Sequence, residues 1–241
     1  MTPRLTEIWV YLSASPLLWL SATLVAYQLA VWLSRKAHGN PLANPVALAV
    51  AMIVAMLTLT GTPYQTYFDG AQFVHFLLGP ATVALAIPLY AQLRRLKRMA
   101  WPLAVALLAG STTAAASAMA IAKVFGASSP IVMSLAPKSV TAPIAMGIAE
   151  RIGGLPSLTA VLVVTTGIIG AVFGPPLLKL LRVDDDAAAG FAIGVAAHGI
   201  GTARAFQISE SAGAFAGLAM GLNGMVTAFL LPYTLQLFGA A

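Results

Sequence analysis

The sequence predicts an all-α polytopic membrane protein, a single transmembrane domain over residues 1–241 built as a helix bundle of about seven or eight apolar segments. Composition is the first reason, since 59% of the residues are hydrophobic and only 8% are charged, whereas a soluble domain carries about 25% charged residues. The second reason is that the apolar residues form runs close to the roughly 20 residues that a helix needs to cross the hydrocarbon core. The chain has no cysteine, which excludes disulfides and thiolate metal sites.

Eight runs meet or approach the length of a membrane span. In order they cover residues 17–33, 46–60, 73–89, 102–122, 131–149, 158–178, 187–208 and 214–238. The fourth, sixth and eighth runs hold no charged residue, and their small residues allow helix backbones to pack closely. Arg4, Glu7 and Pro16 interrupt the N-terminal region, so no cleavable signal peptide is expected there.

Basic residues between the runs predict the orientation of the chain. They cluster in the loops at 35–36, 94–98 and 179–182, and short loops rich in Lys and Arg stay in the cytoplasm. We therefore expect a multi-pass protein of the cell (inner) membrane with these loops cytoplasmic. Strict alternation would put the third loop on the wrong side, so one run must enter and leave on the same face. The run 131–149 is the natural candidate because its two prolines favour a broken or re-entrant segment.

An internal resemblance supports the same interpretation. Residues 78–83 (LGPATV) resemble residues 135–140 (LAPKSV), and the stretch 198–204 (HGIGTAR) resembles both more loosely. Interrupted segments at corresponding positions are typical of transporters, whose binding sites they form. Short apolar stretches also resemble one another by chance, so the pattern indicates possible internal repeats without establishing them.

Two cations lie inside the apolar runs. Lys138 follows seven residues of its run, and Arg204 is surrounded by apolar neighbours. A charge at the bilayer centre costs at least about 2.5 kcal/mol, and such residues usually face the bundle interior or a water-filled cavity. The alternative is that the ends of the runs are misjudged and both side chains extend to the interface. Arg204, nearer the end of its run, is the weaker candidate.

A small carboxylate anion is the ligand that best matches these cations, because no Asp or Glu lies within the runs and both Arg and Lys bind carboxylates. The amide groups freed by a broken helix also bind anions. The candidate binding residues are therefore Lys138, Arg204 and those that form or border the breaks: Pro137, Ser139, Thr141, His198, Gly201, Thr202 and Asn223. His198 would couple a proton or hydrogen-bond within the bundle. Asn223 would bind substrate or join two helices.

Other functional classes find little support. The sequence has no nucleophile elbow, no phosphate-binding glycine loop and no metal-ligand spacing among its three histidines, so we expect no enzyme, no metal and no cofactor. The net charge of +6 is spread over the loops, which argues against nucleic acid as a partner. The run 184–186 consists of three aspartates and is expected to start a helix, with Asp186 as its cap.

Four stretches resemble the LrgB/CidB family of bacterial membrane proteins. They are 72–88 (QFVHFLLGPATVALAIP), 135–149 (LAPKSVTAPIAMGIA), 196–205 (AAHGIGTARA) and 213–222 (GAFAGLAMGL). The LAPKSVTAPIA block is the most specific of these, and the similarity runs over nearly the whole chain. The resemblance implies an LrgB-like transmembrane domain that works beside a smaller LrgA-like membrane protein, and we expect a homo-oligomer.

The resemblance implies two functions of different kinds. The family was named for a holin or antiholin-like role in controlling murein hydrolases and autolysis. Its plant relatives are plastid glycolate/glycerate translocators, and some bacterial pairs are associated with pyruvate uptake. Our leading hypothesis is a secondary carrier or facilitator for small monocarboxylates. The alternatives are a holin/antiholin-like regulator of murein hydrolase export and a passive anion channel.

Overall fold

Every regular element that the computed structural model describes is an α-helix, which confirms the all-α helix bundle. The description covers residues 16–37, 43–77, 80, 83–84 and 86–237. The helices are α1 (Pro16–Lys36), α2 (Pro45–Thr60), α3 (Tyr64–Phe76), α4 (Ala86–Ala91), α5 (Leu93–Val124), α6 (Ser129–Leu135), α7 (Ala142–Arg151), α8 (Pro156–Leu180), α9 (Asp186–Ile208) and α10 (Glu210–Leu237). Contacts divide the chain into two compact units, Met1–Ala84 and Leu85–Ala241.

Four of the described helices are long and apolar enough to cross a membrane: α1, α5, α8 and α10. They correspond to the first, fourth, sixth and eighth predicted runs. Helix α2 is apolar but has only 16 residues. The runs 131–149 and 187–208 are interrupted, so the described residues of this membrane protein hold fewer complete spans than the sequence has apolar runs.

In the first unit, α1 packs against both α2 and α3. Trp19 is 1% exposed, and its ring meets the edge of Tyr67 at a centroid distance of 5.8 Å. Gly70 allows this close packing, because a Cβ there would lie 2.6 Å from the carbonyl oxygen of Pro16. Asn44 caps α2 by accepting hydrogen bonds from the amides of Val46 and Ala47.

The described residues cover only part of the apolar run predicted over 73–89. Helix α3 begins nine residues earlier, at Tyr64, and ends at Phe76. Pro80, Val83 and Ala84 are described as helical, ahead of α4. Most of the stretch 78–83 compared with 135–140, together with the N-terminal residues 1–15 and residue 238, lies outside the described residues.

In the second unit, the predicted break in the run 131–149 is confirmed, and the chain doubles back there. Ser134, in the last turn of α6, accepts a hydrogen bond from the amide of Leu155 at its Oγ (2.8 Å) and another from Thr159 Oγ1 at its carbonyl oxygen (3.1 Å). In a continuous helix Ser134 and Leu155 would lie about 32 Å apart. Helix α6, the turn 136–141 and α7 therefore form a hairpin, hereafter hairpin 1.

Helix α9 also doubles back, at Ala197 and His198, where the backbone leaves helical geometry. Ile193 and Ala205 belong to one buried cluster, although a continuous helix would separate them by about 18 Å. A Cβ on Gly201 would lie 2.6 Å from the Cβ of Ala197, which shows how closely the two arms approach. Helix α9 is thus hairpin 2, with arms before and after residues 197–198.

The first arm of hairpin 2 lies directly on α10. A Cβ on Gly190 or Gly194 would overlap the carbonyl oxygens of Ala212 and Ala216, respectively. Both contacts join residues 22 positions apart, so this arm runs parallel to α10. The two helices therefore meet backbone to backbone, with no layer of side chains between them.

The two hairpins enter the second unit from opposite ends. Hairpin 2 begins beside the start of α5, where Arg95 pairs with Asp185. Hairpin 1 follows the opposite end of α5, which terminates at Val124. Helix α5 itself is flanked by two open, mostly apolar cavities, of about 510 Å³ beside α10 and about 350 Å³ beside α9.

Candidate functional site

The tip of hairpin 1 is a compact buried turn. The amide of Lys138 donates to the carbonyl oxygen of Leu135 (3.1 Å), and the amide of Val140 donates to that of Pro137 (3.2 Å). Pro137 and Val140 are almost completely buried. Pro137 ends the helical ladder and Pro143 lies in the first turn of α7, which is where proline is tolerated in a helix. The sequence thus places a non-helical turn between two short helices.

The tip of hairpin 2 is formed by a strained residue. His198 has φ 40° and ψ −133°, a conformation that side chains with a Cβ rarely adopt. Glycines of α8 provide the space for it: a Cβ on Gly167 would lie 2.7 Å from the imidazole Cε1, and one on Gly170 would overlap Ala197. The sequence predicted a break near the glycines at 199 and 201, and the observed break comes just before them, at residues 197–198.

A single buried side chain joins the two tips. The amide nitrogen of Asn223 donates to the carbonyl oxygens of Ser139, on hairpin 1 (3.1 Å), and Val195, on hairpin 2 (3.0 Å). Its Oδ1 accepts hydrogen bonds from Ser111 of α5 and from Thr227 of α10. Asn223 is 1% exposed and uses both amide protons and its carbonyl oxygen. From the sequence, Asn223 was expected either to bind substrate or to join two helices. The contacts observed here are those of a residue that joins helices.

Asn223 and the two hairpin tips that it joins are called the junction from here on. Lys138 brings a cation to this junction. Its side chain is half-buried, and Nζ lies 3.3 Å from Oγ of the buried Ser139. The one salt bridge found in the described part of the chain joins Arg95 to Asp185, so no carboxylate in that part neutralises Lys138. The Lys138 ammonium is also close enough to the His198 imidazole to interact with it electrostatically.

The hydrogen bonds of His198 define its tautomer. Nε2 lies 3.0 Å from the carbonyl oxygen of Val163, and because a carbonyl only accepts, Nε2 carries a proton. The second ring nitrogen, Nδ1, is left as the atom that can gain or lose a proton. Val163 also belongs to the buried cluster that contains Val140, so α8 contacts the tips of both hairpins.

Three further predicted residues border the tips. Thr202 is buried, and its hydroxyl donates to the carbonyl oxygen of His198 (2.8 Å), which satisfies a group at the break. Gly201 is the point of close approach between the arms of hairpin 2. Thr141 is the first residue before α7, and its side chain makes no capping hydrogen bond.

Arg204 lies apart from this junction. Its Nη1 donates to Oε1 of Gln207 at 2.7 Å, in an exposed position. Arg204 follows the buried Thr202 by two residues, which is about 200° around a helix, so the two side chains point in nearly opposite directions. A role for Arg204 in binding the same ligand as Lys138 remains a prediction from the sequence alone.

Several of the residues that bond to this junction were not predicted from the sequence. Ser111 belongs to the run 102–122, whose small residues were predicted only to let helices pack closely, and Val163 and Thr227 were not singled out. The available signal was a hydroxyl in the middle of an uncharged span, which needs a partner in hydrocarbon. The expected cap at Asp186 is wrong by one residue, since Asp185 caps α9 by accepting from the amide of Ala188. Within the described residues, no group of three or more acidic or histidine side chains could hold a metal ion.

The fold and the junction define a class: a polytopic helical membrane protein in which two helical hairpins meet tip to tip. The chain belongs to the LrgB-like family, whose family model matches residues 23–237. This confirms the resemblance found in the sequence motifs.

Individual relatives support the same membership. The chain is 39% identical to the uncharacterized protein YwbG of Bacillus subtilis (strain 168) over 180 residues, which cover 75% of this chain and 80% of YwbG. It is 31% identical to the antiholin-like protein LrgB of Bacillus mycoides (strain KBAB4) over 225 residues, 93% of this chain and 98% of that protein. No solved structure matches the chain.

Proposed function

We propose that this protein carries small monocarboxylates, of the 2-oxo or 2-hydroxy acid type exemplified by pyruvate, glycolate and glycerate, across the cell (inner) membrane. The observation that supports this function is the half-buried Lys138 at the meeting point of two hairpin tips, with no carboxylate partner in the described part of the chain. A buried cation without a counter-ion is stabilised when an anionic ligand supplies the missing charge.

The depth of the junction supports a transport site. Ser111, which hydrogen-bonds to Asn223, lies ten residues after Trp101 and twelve before Lys123, or about 15 Å and 18 Å along α5. The hydrocarbon core is about 30 Å thick, so the junction lies near its middle. Secondary transporters typically bind substrate at that depth, between discontinuous helices.

Each residue of the junction has a place in the proposal. Lys138 pairs with the carboxylate, with the hydroxyls of Ser139 and Thr141 beside it. The first amides of α7 lack a side-chain cap from Thr141 and add the positive end of a helix dipole. His198 carries the coupled proton on Nδ1, and Asn223 holds the two tips in register. Alternating access follows when one hairpin moves relative to the other.

Uptake of labelled pyruvate and glycolate into proteoliposomes tests the carrier. We expect Lys138→Met to lower the initial rate at least tenfold, because it removes the charge and keeps an apolar chain of similar length. Arg204→Gln should have a smaller effect. Lys123→Met, at the exposed end of α5, is the matched control and should match wild type. Equal rates for Lys138→Met and wild type would exclude the proposed site. Exchange of labelled for unlabelled solute against a gradient would identify a carrier rather than a channel.

A second candidate function comes from the relatives. Two relatives matched over 98% of their own length are named antiholin-like protein LrgB, and these names support an antiholin-like function more directly than they support transport. In this proposal the chain regulates murein hydrolase export and autolysis, in a homo-oligomer with a smaller LrgA-like membrane protein, and binds no substrate of its own.

Ligand-dependent stability separates the two functions. A ligand that binds only the native state raises the melting temperature. A set of monocarboxylates added to purified wild type and Lys138→Met should stabilise only the wild type if the protein is a carrier. No stabilisation by any monocarboxylate, together with an autolysis phenotype that Lys138→Met leaves unchanged, would favour the antiholin-like regulator.

A further inference from the structure

A strip of basic residues covers one face of the first two turns of α5. Arg94, Lys97, Arg98 and Trp101 are all exposed. At 3.6 residues per turn these four positions fall within about 100° of the helix circumference. Leu96 and the nearby Met99 and Leu103 lie on the opposite side and pack against the buried cluster around Phe191. We call the four exposed residues the basic strip.

The charges of the strip are not neutralised by the protein. Arg95, at the border of the strip, pairs with Asp185, and its guanidinium lies 5.8 Å from the ring centroid of Phe215. No described Asp or Glu lies within salt-bridge distance of Arg94, Lys97 or Arg98, since the Arg95 pair is the one found in the described chain. Three cations therefore face outward together.

The length of α5 places the strip at the level of the lipid headgroups. The helix has 32 residues, or about 48 Å, against about 30 Å for the hydrocarbon core. Trp101 and Lys123 are separated by about 33 Å along the helix, which matches that thickness. Tryptophan is enriched at the interface. With Trp101 at one boundary, Arg94, Lys97 and Arg98 extend beyond the hydrocarbon into the headgroup layer.

We propose that the basic strip binds the phosphate groups of anionic phospholipids. Guanidinium groups form bidentate hydrogen bonds with phosphate, and an anionic lipid surface attracts each nearby Lys or Arg. The exposed Trp101 provides the apolar contact just below the headgroups. This ligand site is independent of the transport proposal, because it lies on the outer surface of α5, about 20 Å along the helix from Ser111.

A second basic loop in the same unit provides the control. Lys179 and Arg182 are exposed, as are two of the three aspartates that follow at 184–186. Asp185 pairs with Arg95, and Asp184 and Asp186 offset the two positive charges of Lys179 and Arg182. The double variants Arg94→Gln/Arg98→Gln and Lys179→Gln/Arg182→Gln therefore remove the same number of charges from surfaces of different net charge.

The protein is equilibrated with equal amounts of anionic phosphatidylglycerol and zwitterionic phosphatidylcholine. Native mass spectrometry then measures its preference for the anionic lipid, as the ratio of the two lipids that it retains. We expect wild type to retain phosphatidylglycerol preferentially. The preference should fall by about fivefold for each of the two charges that Arg94→Gln/Arg98→Gln removes, and it should weaken at high salt. The Lys179→Gln/Arg182→Gln variant should keep it. An unchanged preference in the first variant, or an equal fall in both, would overturn the proposal.

Discussion

The side-chain amide of Asn223 donates a hydrogen bond to the main-chain oxygen of Ser139, 84 residues earlier in the sequence. The same amide holds Val195, so one residue of α10 links the tips of both hairpins. Asn223 thus supplies a hydrogen bond to a main-chain carbonyl group at or beside each tip. The geometry of the junction therefore depends on a side chain that carries no charge.

Replacing Asn223 with Asp should loosen this junction. An ionised or neutral Asp keeps the acceptor for Ser111 and Thr227 but cannot donate to both carbonyl oxygens. At least one buried carbonyl then loses its hydrogen bond from residue 223, which costs about 1 to 3 kcal/mol. Thermal unfolding in detergent should show a lower melting temperature. Gln236→Glu, on the exposed surface of the same helix, is the control, and equal melting temperatures for both variants would contradict the assigned role.

Close packing between hairpin 2 and α10 can be tested at two glycines. In Gly194→Ala the new methyl group overlaps the carbonyl oxygen of Ala216, so the helices must separate, at a cost of about 1 to 3 kcal/mol. Gly221→Ala, on α10, meets nothing within 4 Å, and helix propensity should make it neutral or stabilising by about 0.5 to 1 kcal/mol. Chemical denaturation curves measure both. A Gly194→Ala protein as stable as Gly221→Ala would show that the helices are further apart than described.

The position of His198 depends on a glycine of α8. A Cβ on Gly167 lies 2.7 Å from the imidazole, so Gly167→Ala should displace the ring from Val163 and weaken that hydrogen bond. Gly174→Ala, on the same helix, places its Cβ 3.6 Å from Ile193, an ordinary contact. If His198 carries the coupled proton, the pH profile of transport should change in Gly167→Ala and stay as in wild type in Gly174→Ala. Identical pH profiles in the two variants would show that His198 does not carry the coupled proton.

Asp185 should make the stability of the protein depend on pH in the acidic range. The amide of Ala188, which donates to Asp185, and the charge of Arg95 hold the pKa of Asp185 below its usual value. A carboxylate whose folded pKa is lowered stabilises the fold above its unfolded pKa, about 3.9, and this contribution disappears as the pH falls through the folded value.

The measurement is the melting temperature of wild type and Asp185→Asn between about pH 3 and pH 7. Wild type should be the more stable at neutral pH, by less than about 1 kcal/mol because the pair is partly exposed. The two proteins should converge in acid. Asp184→Asn, a neighbouring exposed carboxylate, serves as the control. A difference that persists unchanged to pH 3 would contradict the pairing with Arg95.

Much of the architecture follows from simple features of the sequence. The complete spans α5, α8 and α10 were predictable because uncharged runs of this length have few alternatives to crossing the membrane. Hairpin 1 was predictable because Pro137 and Pro143 cannot lie in the middle of one straight helix. Hairpin 2 was predicted only as a break, since glycines permit several backbone conformations and do not specify a reversal.

The junction itself depends on contacts between residues far apart in the chain. Asn223 bonds to residues 112, 84 and 28 positions away, and a single sequence does not reveal such pairs. His198 adopts its strained conformation because Val163 and Gly167 accommodate its ring. Both of these residues look like ordinary members of an apolar helix. The sequence therefore indicated which kinds of side chain could form the candidate site. How these side chains are arranged follows only from the tertiary structure.

The backbone contacts at Gly190 and Gly194 leave no space between the first arm of hairpin 2 and α10 at those two points. Helix α5 is in the opposite situation, because the cavities of about 510 and 350 Å³ on its flanks give it room to tilt. Of the contacts that α5 makes at mid-depth, the hydrogen bond from Ser111 is directed to Asn223. Tilting of α5 would therefore be transmitted directly to the residue that holds both hairpin tips.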